Sequence, residues 1–452
     1  MMKVGSSMNN NEMVKGSIFK TLLLFSIPLF CSYFFQQLYN TIDTMIVGHT
    51  LGELSLAALG CATPLYDLLV GFAIGMGSGF SIVVARYFGA NDDINLKKAV
   101  ASSVIIGIIL SLLMMLFTRF ALEPILKLLQ TPSDVFKQTY EYLSWITFFT
   151  LVMFAYNLCA GLLRAIGNSI TPLLFLVIAS ILNIGLDYLF ILVFDMGVKG
   201  AAIATVLAQG ISVIACIIYM LKKAKLLIPK ANHFTYDKKM YLDVLSQGLS
   251  MGFMSSIVSL GTTILQFGIN HLGSLVIAAH NAARKAYSLG MIPFNAMISS
   301  ISVFVSQNYG AKQIKRIKQA MKIAYLYNLV LTFIFCLIFY FGAEKLIVMI
   351  SGSNEAIILN NGSHYLYVVA PFYFILGFVT TTRSALQAIG SKWLPLISSV
   401  IELIGKILFV LLLIPKFAYQ AVIWCEPIIW CMMAIQLLYA FWTHKVIRGE
   451  VC

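Results

Sequence analysis

Apolar runs recur from one end of the chain to the other, separated by short polar stretches. A helix of roughly twenty apolar residues matches the hydrocarbon thickness of a bilayer, so the pattern predicts a polytopic helical membrane protein. Twelve spans are expected, near 18–48, 55–86, 98–119, 137–163, 170–194, 200–221, 244–271, 276–308, 319–341, 364–389, 395–415 and 420–443. A polar lead (1–17), a basic amphipathic connector (222–243) and a short tail (444–452) lie outside them. The connector separates a six-helix lobe over 18–221 from a second over 244–443.

The two halves repeat. SIVVARYFGANDDINLKKAV (81–100) aligns with SVFVSQNYGAKQIKRIKQAM (302–321) at an offset of 221, as Leu51-Gly52 does with Leu272-Gly273. Ala165-Ile166-Gly167 and Pro172 match Ala388-Ile389-Gly390 and Pro395 at an offset of 223. An even number of spans per half makes the repeat parallel, so the fold class expected is all-α, with two six-helix lobes around a central cleft.

Composition narrows this further. The 452 residues are 60% hydrophobic and only 11% charged, against roughly 25% charged in soluble domains. A net charge of +13 raises the question of nucleic acid, but its placement answers otherwise. Lys3, Lys15, Arg86, Lys97, Lys222, Lys238, Lys312 and Lys445 all fall on one side of the expected topology. That is the positive-inside bias, and it places both termini in the cytoplasm of a multi-pass cell-membrane protein. The first apolar run is too long for a cleavable signal peptide. The eight cysteines lack CxxC spacing and read as packing residues.

Chemistry is sparse, and therefore informative. Asp43 stands inside the first span, with Asn40, Tyr39 and Gln36 three, four and seven residues before it, near one face. A charge in hydrocarbon costs several kcal/mol, so a retained one is read as functional. The fifth span holds Asn183 and Asp187 one turn apart, and the sixth Ala201 and Thr205. The fourth contributes Tyr142 and Asn157. Pro28 gives the first span a fixed kink or a place to bend. Asp67 is either a second embedded acid or a group snorkelling to the outer mouth. At the repeat offset Asp187 corresponds to Val410 and Asn183 to Lys406, which confines the carboxylate site to the first half. In the second half Glu402 and Lys406 are spaced as a neutralising pair, and Glu426 has no partner in the sequence.

These residues carry a resemblance. Tyr39-Asn40-x-x-Asp43-Thr44-x-x-Val47-Gly48, Arg86-Tyr87-Phe88-Gly89, Gly161-Leu162-Leu163-Arg164-Ala165-x-Gly167-Asn168 and Asn183-x-x-x-Asp187 occur in order. Together with Gly200-Ala201-Ala202 and Thr205 they make the chain resemble the multidrug and toxic compound extrusion (MATE) transporters, in particular their DinF-like prokaryotic branch. The resemblance implies export of organic, often cationic amphipathic compounds driven by inward H⁺ or Na⁺. It implies a cation site at Asp43, Asn183, Asp187 and Thr205, a surrounding polar network of Gln36, Tyr39, Tyr142 and Asn157, and bending at Pro28. Acids that other branches place in the seventh and tenth spans are missing from 244–271 and 364–389.

The expected mechanism rests on linkage. Two carboxylates close together in low dielectric repel each other, and a proton or Na⁺ relieves the repulsion. The balance leans to H⁺. Beyond this coupling ion no cofactor is expected. The partners expected are small organic substrates and the lipid bilayer, without nucleic acid, and the chain is read as a monomer. A lipid-linked oligosaccharide flippase of similar architecture is the alternative, kept in view by Arg284, Lys285 and Arg383. A membrane prenyltransferase is rejected, because Asp92-Asp93 lacks the rest of a metal-binding DDxxD motif. A passive channel is disfavoured by the repeat with its buried acids.

Overall fold

The computed structural model describes residues 12–450, so most of the expected polar lead, together with Lys3 and Cys452, lies outside the described residues. Every span is helical, and no strand occurs among the described residues. In order the first three spans are Ile18–Leu51, Glu53–Gly89 and Asp93–Leu128. The fourth is two helices, Ser133–Phe148 and Thr150–Ala165, bent by 52°. The fifth, Ile170–Tyr188, ends in a π-helical turn, Leu189–Val193, and the sixth is Val198–Lys223. The seventh to ninth are Lys238–Asn270, Ser274–Gly310 and Ile314–Ser351. Ala356–Val369 and Tyr373–Ala388 form the tenth, broken at Pro371. Trp393–Leu408 with the π-helical turn Phe409–Leu413 forms the eleventh, and Ile414–Thr443, non-helical at Ala418, opens the twelfth. These are the twelve expected segments, most of them longer than the apolar runs alone indicate.

Side chains such as Phe120, Leu128, Phe341 and Ile435 are largely exposed on the helix surfaces, where hydrocarbon rather than water suits them. The chain is a multi-span membrane protein.

The repeat is written into the backbone. Asn91 and Lys312 both take a positive φ, 55° and 58°. Gly167 and Gly390 do likewise at 86° and 92°. The fourth and tenth spans are both broken, and a π-helical turn closes both the fifth and the eleventh.

Contacts group the residues into two compact units, one of Cys31–Ser256 and the other of Val14–Phe30 with the chain from Ile257 onward. These bounds differ from the expected lobes, because the start of the first span belongs to the C-terminal unit and the start of the seventh to the N-terminal one. Small residues explain the seventh. Gly248 and Gly252 meet Gly75 and Gly79 of the second span so closely that a Cβ on Gly79 would lie 2.6 Å from the Gln247 carbonyl oxygen. Paired small-xxx-small stretches let two membrane helices come into backbone contact in this way. Arg86 finishes the seam, with Nη1 at 3.4 Å from Asp243 and Nη2 donating to Gln247 Oε1 at 3.1 Å. The seventh span thus begins at Lys238, and the connector is shorter than the sequence pattern indicates. In the C-terminal unit, Arg316 Nη2 donates to the Gly16 carbonyl at 2.7 Å, and Leu22, Phe25 and Leu29 are buried.

Candidate functional site

The N-terminal unit draws its acids together from the first and fifth spans. Asp187 is fully buried and Asp43 is half-buried. Helical spacing puts Asn183 and Asp187 in the last two turns before the π-helical turn, a local widening often found at functional sites. With the Asn183 amide oriented to satisfy both neighbours, Nδ2 donates to Asp187 Oδ2 at 2.9 Å. Its Oδ1 then accepts from the Thr205 backbone N–H at 3.1 Å. The Thr205 and Tyr39 hydroxyls stand 3.3 Å apart.

Asp43 and Asp187 lie near enough to act on one another electrostatically. Ionised carboxylate oxygens only accept, so drawing the two together takes a proton between them or a cation. Oδ1 of each is buried without a hydrogen-bond partner. Among the described residues no cation pairs with either acid. Ile46, Val47, Ile191, Val198 and Ala201 form the apolar floor, with Tyr142 packed against it. A dry floor under two like-charged groups is what makes their repulsion large.

Of the expected residues, Asp43, Tyr39, Asn183, Asp187 and Thr205 therefore converge, with Tyr142 and Ala201 as packing around them. Gln36 and Asn40 are exposed and contribute no side-chain bond to this cluster. Asn157 turns back on its own helix, where Nδ2 donates to the Met153 carbonyl at 2.8 Å. Asp67 is exposed on the second span, in keeping with a snorkelling acid rather than a second buried one. Pro28 lies two residues before the point where the first span passes between units. Tyr66 was not anticipated. Its ring lies 6.5 Å from that of Tyr142, within electrostatic range of Asp43. Its only sequence signal is its position beside Asp67.

The second-half charges form something different. Lys406 Nζ lies 3.0 Å from Glu402 Oε1, as the spacing predicted, and also 3.7 Å from Glu426. Glu426, without a partner in the sequence, pairs with Arg284 Nη1 at 2.8 Å and accepts from the Tyr365 hydroxyl at 3.2 Å. Arg383 reaches Glu402 at 3.8 Å, and its Nε donates to Ser398 Oγ at 2.9 Å. Lys285 is exposed. Arg284 and Arg383 are thus held by carboxylates and do not gather into the cationic cluster a pyrophosphate would need.

A family model described as MatE matches residues 28–189 and again 251–412, two copies displaced by 223 residues. The chain is 26% identical over 403 residues to a probable multidrug resistance protein, YoeA, of Bacillus subtilis, covering 86% of each. It is 24% identical over 384 residues to the multidrug export protein MepA of Staphylococcus saprophyticus, covering 83% of each. In fold it resembles an outward-facing multidrug resistance transporter structure, with a TM-score of 0.89 at 21% identity over 99% of this chain and 100% of that one.

Proposed function

The chain belongs to the MatE family, and on that premise we propose that it is a secondary antiporter exporting organic, cationic amphipathic compounds in exchange for protons. The curated relatives named above are multidrug resistance or export proteins, and this supports the substrate class. One observation carries the coupling: two membrane-embedded carboxyls close enough to act on one another, each with a buried oxygen left without a hydrogen-bond partner. A proton shared by two neighbouring carboxyls needs no further ligand, which is the reason for reading the ion as H⁺. Asn183 already bonds both the Thr205 backbone N–H and Asp187, which leaves few oxygens to complete the shell Na⁺ prefers.

In this reading a proton held between Asp43 and Asp187 removes their repulsion and lets the first and fifth spans pack together. Loss of the proton restores the negative charge, which suits a cationic substrate and separates the acids. Proton and substrate thereby compete for one charge state, and exchange follows from linkage. Asn183 positions Asp187, and Tyr39 and Thr205 fix the neighbouring helix faces. The positive-inside bias supports cytoplasmic termini in the cell membrane.

The test is ethidium efflux from proteoliposomes under an imposed pH gradient or an imposed Na⁺ gradient, with Asp43→Asn in parallel. Efflux driven by the pH gradient and lost in the variant is expected. Efflux driven by Na⁺ alone would overturn the proton, and indifference to both gradients would overturn antiport.

A further inference from the structure

The buried charges of the C-terminal unit run in a line: Arg383, Glu402, Lys406, Glu426, Arg284. Signs alternate, but both ends are cationic, so the line is one anion short of neutral. An uncompensated charge at membrane depth is costly, so it marks a place where a counter-charge is expected. The two ends are not alike. Arg383 is sealed in, with side-chain exposure of 9%. Arg284 is open, at 27%.

The open end is shaped for a ligand. Both hydrogen bonds of Arg284 leave from Nη1, to Glu426 and to the Tyr365 hydroxyl. Its Nε and Nη2 therefore form an edge not engaged by any described side chain. That edge presents two parallel N–H groups, the geometry that holds a carboxylate or phosphate at two points. The guanidinium lies over the Tyr287 ring at 4.5 Å, which fixes its plane, and Tyr287 stacks on Trp430 at 6.4 Å. Edge-on to Tyr287, 5.5 Å away ring to ring, Tyr373 carries a buried hydroxyl without a hydrogen-bond partner.

We propose that the Nε–Nη2 edge of Arg284 is a binding site for one anionic oxygen group, carboxylate or phosphate, on a molecule with an apolar body. The guanidinium edge takes the group, the anion completes the alternating line, and Tyr287 and Trp430 flank the apolar part. A transported solute and a lipid headgroup share this chemistry. The proposal does not depend on the acid pair of the other unit, and its failure would leave antiport untouched.

The experiment measures binding of dodecyl phosphate and of dodecyltrimethylammonium to the full-length protein in phosphatidylcholine nanodiscs, by quenching of tryptophan fluorescence. Dodecyl phosphate is expected to bind at least about tenfold tighter than its cationic counterpart. Arg284→Lys keeps the charge but removes the two-point edge, and it is expected to abolish most of that preference. Arg284→Gln with Glu426→Gln removes both charges together, so neither is left buried alone, and it should abolish the preference as well. Adding phosphatidylglycerol to the nanodiscs separates the sources: competition identifies a lipid headgroup, and its absence identifies a solute. Equal affinity for the two amphiphiles, or a preference unchanged in both variants, would overturn the site.

Discussion

Two buried charge sites built on one repeated frame behave in opposite ways. In each unit a polar pair one turn apart sits in the last turns before a π-helical turn, Asn183 and Asp187 in one, Glu402 and Lys406 in the other. The N-terminal pair faces a second acid, and two carboxylate oxygens are left without partners. The C-terminal pair is gripped on both sides by opposite charges. Like charges in low dielectric store repulsion that a small cation can release, whereas alternating charges lock helices together. The same helical scaffold therefore holds a like-charged pair in one half and a row of alternating charges in the other.

The contrast predicts that removing a carboxylate does different damage in each unit. Glu426→Ala leaves Arg284 without a carboxylate partner and Lys406 sharing Glu402 with Arg383, and it should cost about 3–5 kcal/mol of stability. Thermal unfolding in detergent checks this, and a melting temperature matching that of the unaltered protein would show that the charge row is dispensable. Asp187→Asn removes a repelling charge and keeps the side-chain shape, so stability should move by less than about 1 kcal/mol. Gradient-driven efflux, however, should fall roughly 100-fold, the upper end of a usual coupling free energy. An Asp187→Asn protein that still pumps at full rate would dissolve the distinction between the two sites.

Smaller changes sharpen it. Tyr39→Phe removes one hydroxyl contact at 3.3 Å, a loss of about 1 kcal/mol that should slow efflux roughly fivefold. Initial rates at saturating ethidium measure it, and an unchanged rate would exclude Tyr39 from the coupling network. The smallest effect concerns the backbone ahead of the last span in each unit. Gly197 takes φ 58°, ψ −148° there, and the C-terminal unit bends the same way at Ala418, with φ 48°, ψ −131°. Glycine visits that region freely and alanine does not. Ala418→Gly should therefore stabilise the protein by up to about 1 kcal/mol, read as a higher melting temperature with transport unchanged. A lower one would mean that the Ala418 side chain contributes more through packing than its strain costs.

Asp43, Asp187, Asn183 and Thr205 were legible in the sequence because hydrocarbon makes an isolated polar residue conspicuous, and helical spacing fixes which of them share a turn. Gln36 and Asn40 follow the same spacing rule from Asp43 and yet stand exposed. Spacing tells which residues share a helix face, not what that face meets. Glu426 shows the converse. Nothing local pairs it, and its partner Arg284 is 142 residues away.

The sequence by itself determined the class of molecule, the twelve spans, the internal repeat and the acids of the first half. All of these follow from periodicity and from the cost of polar groups in lipid, which act residue by residue. Tertiary structure decided which carboxyls come close, which cations are neutralised and where each unit begins. Those outcomes depend on contacts between distant helices, such as Gly79 against the Gln247 backbone, whose closeness follows from the absence of a side chain. Seen along the chain, that glycine is one small residue among many.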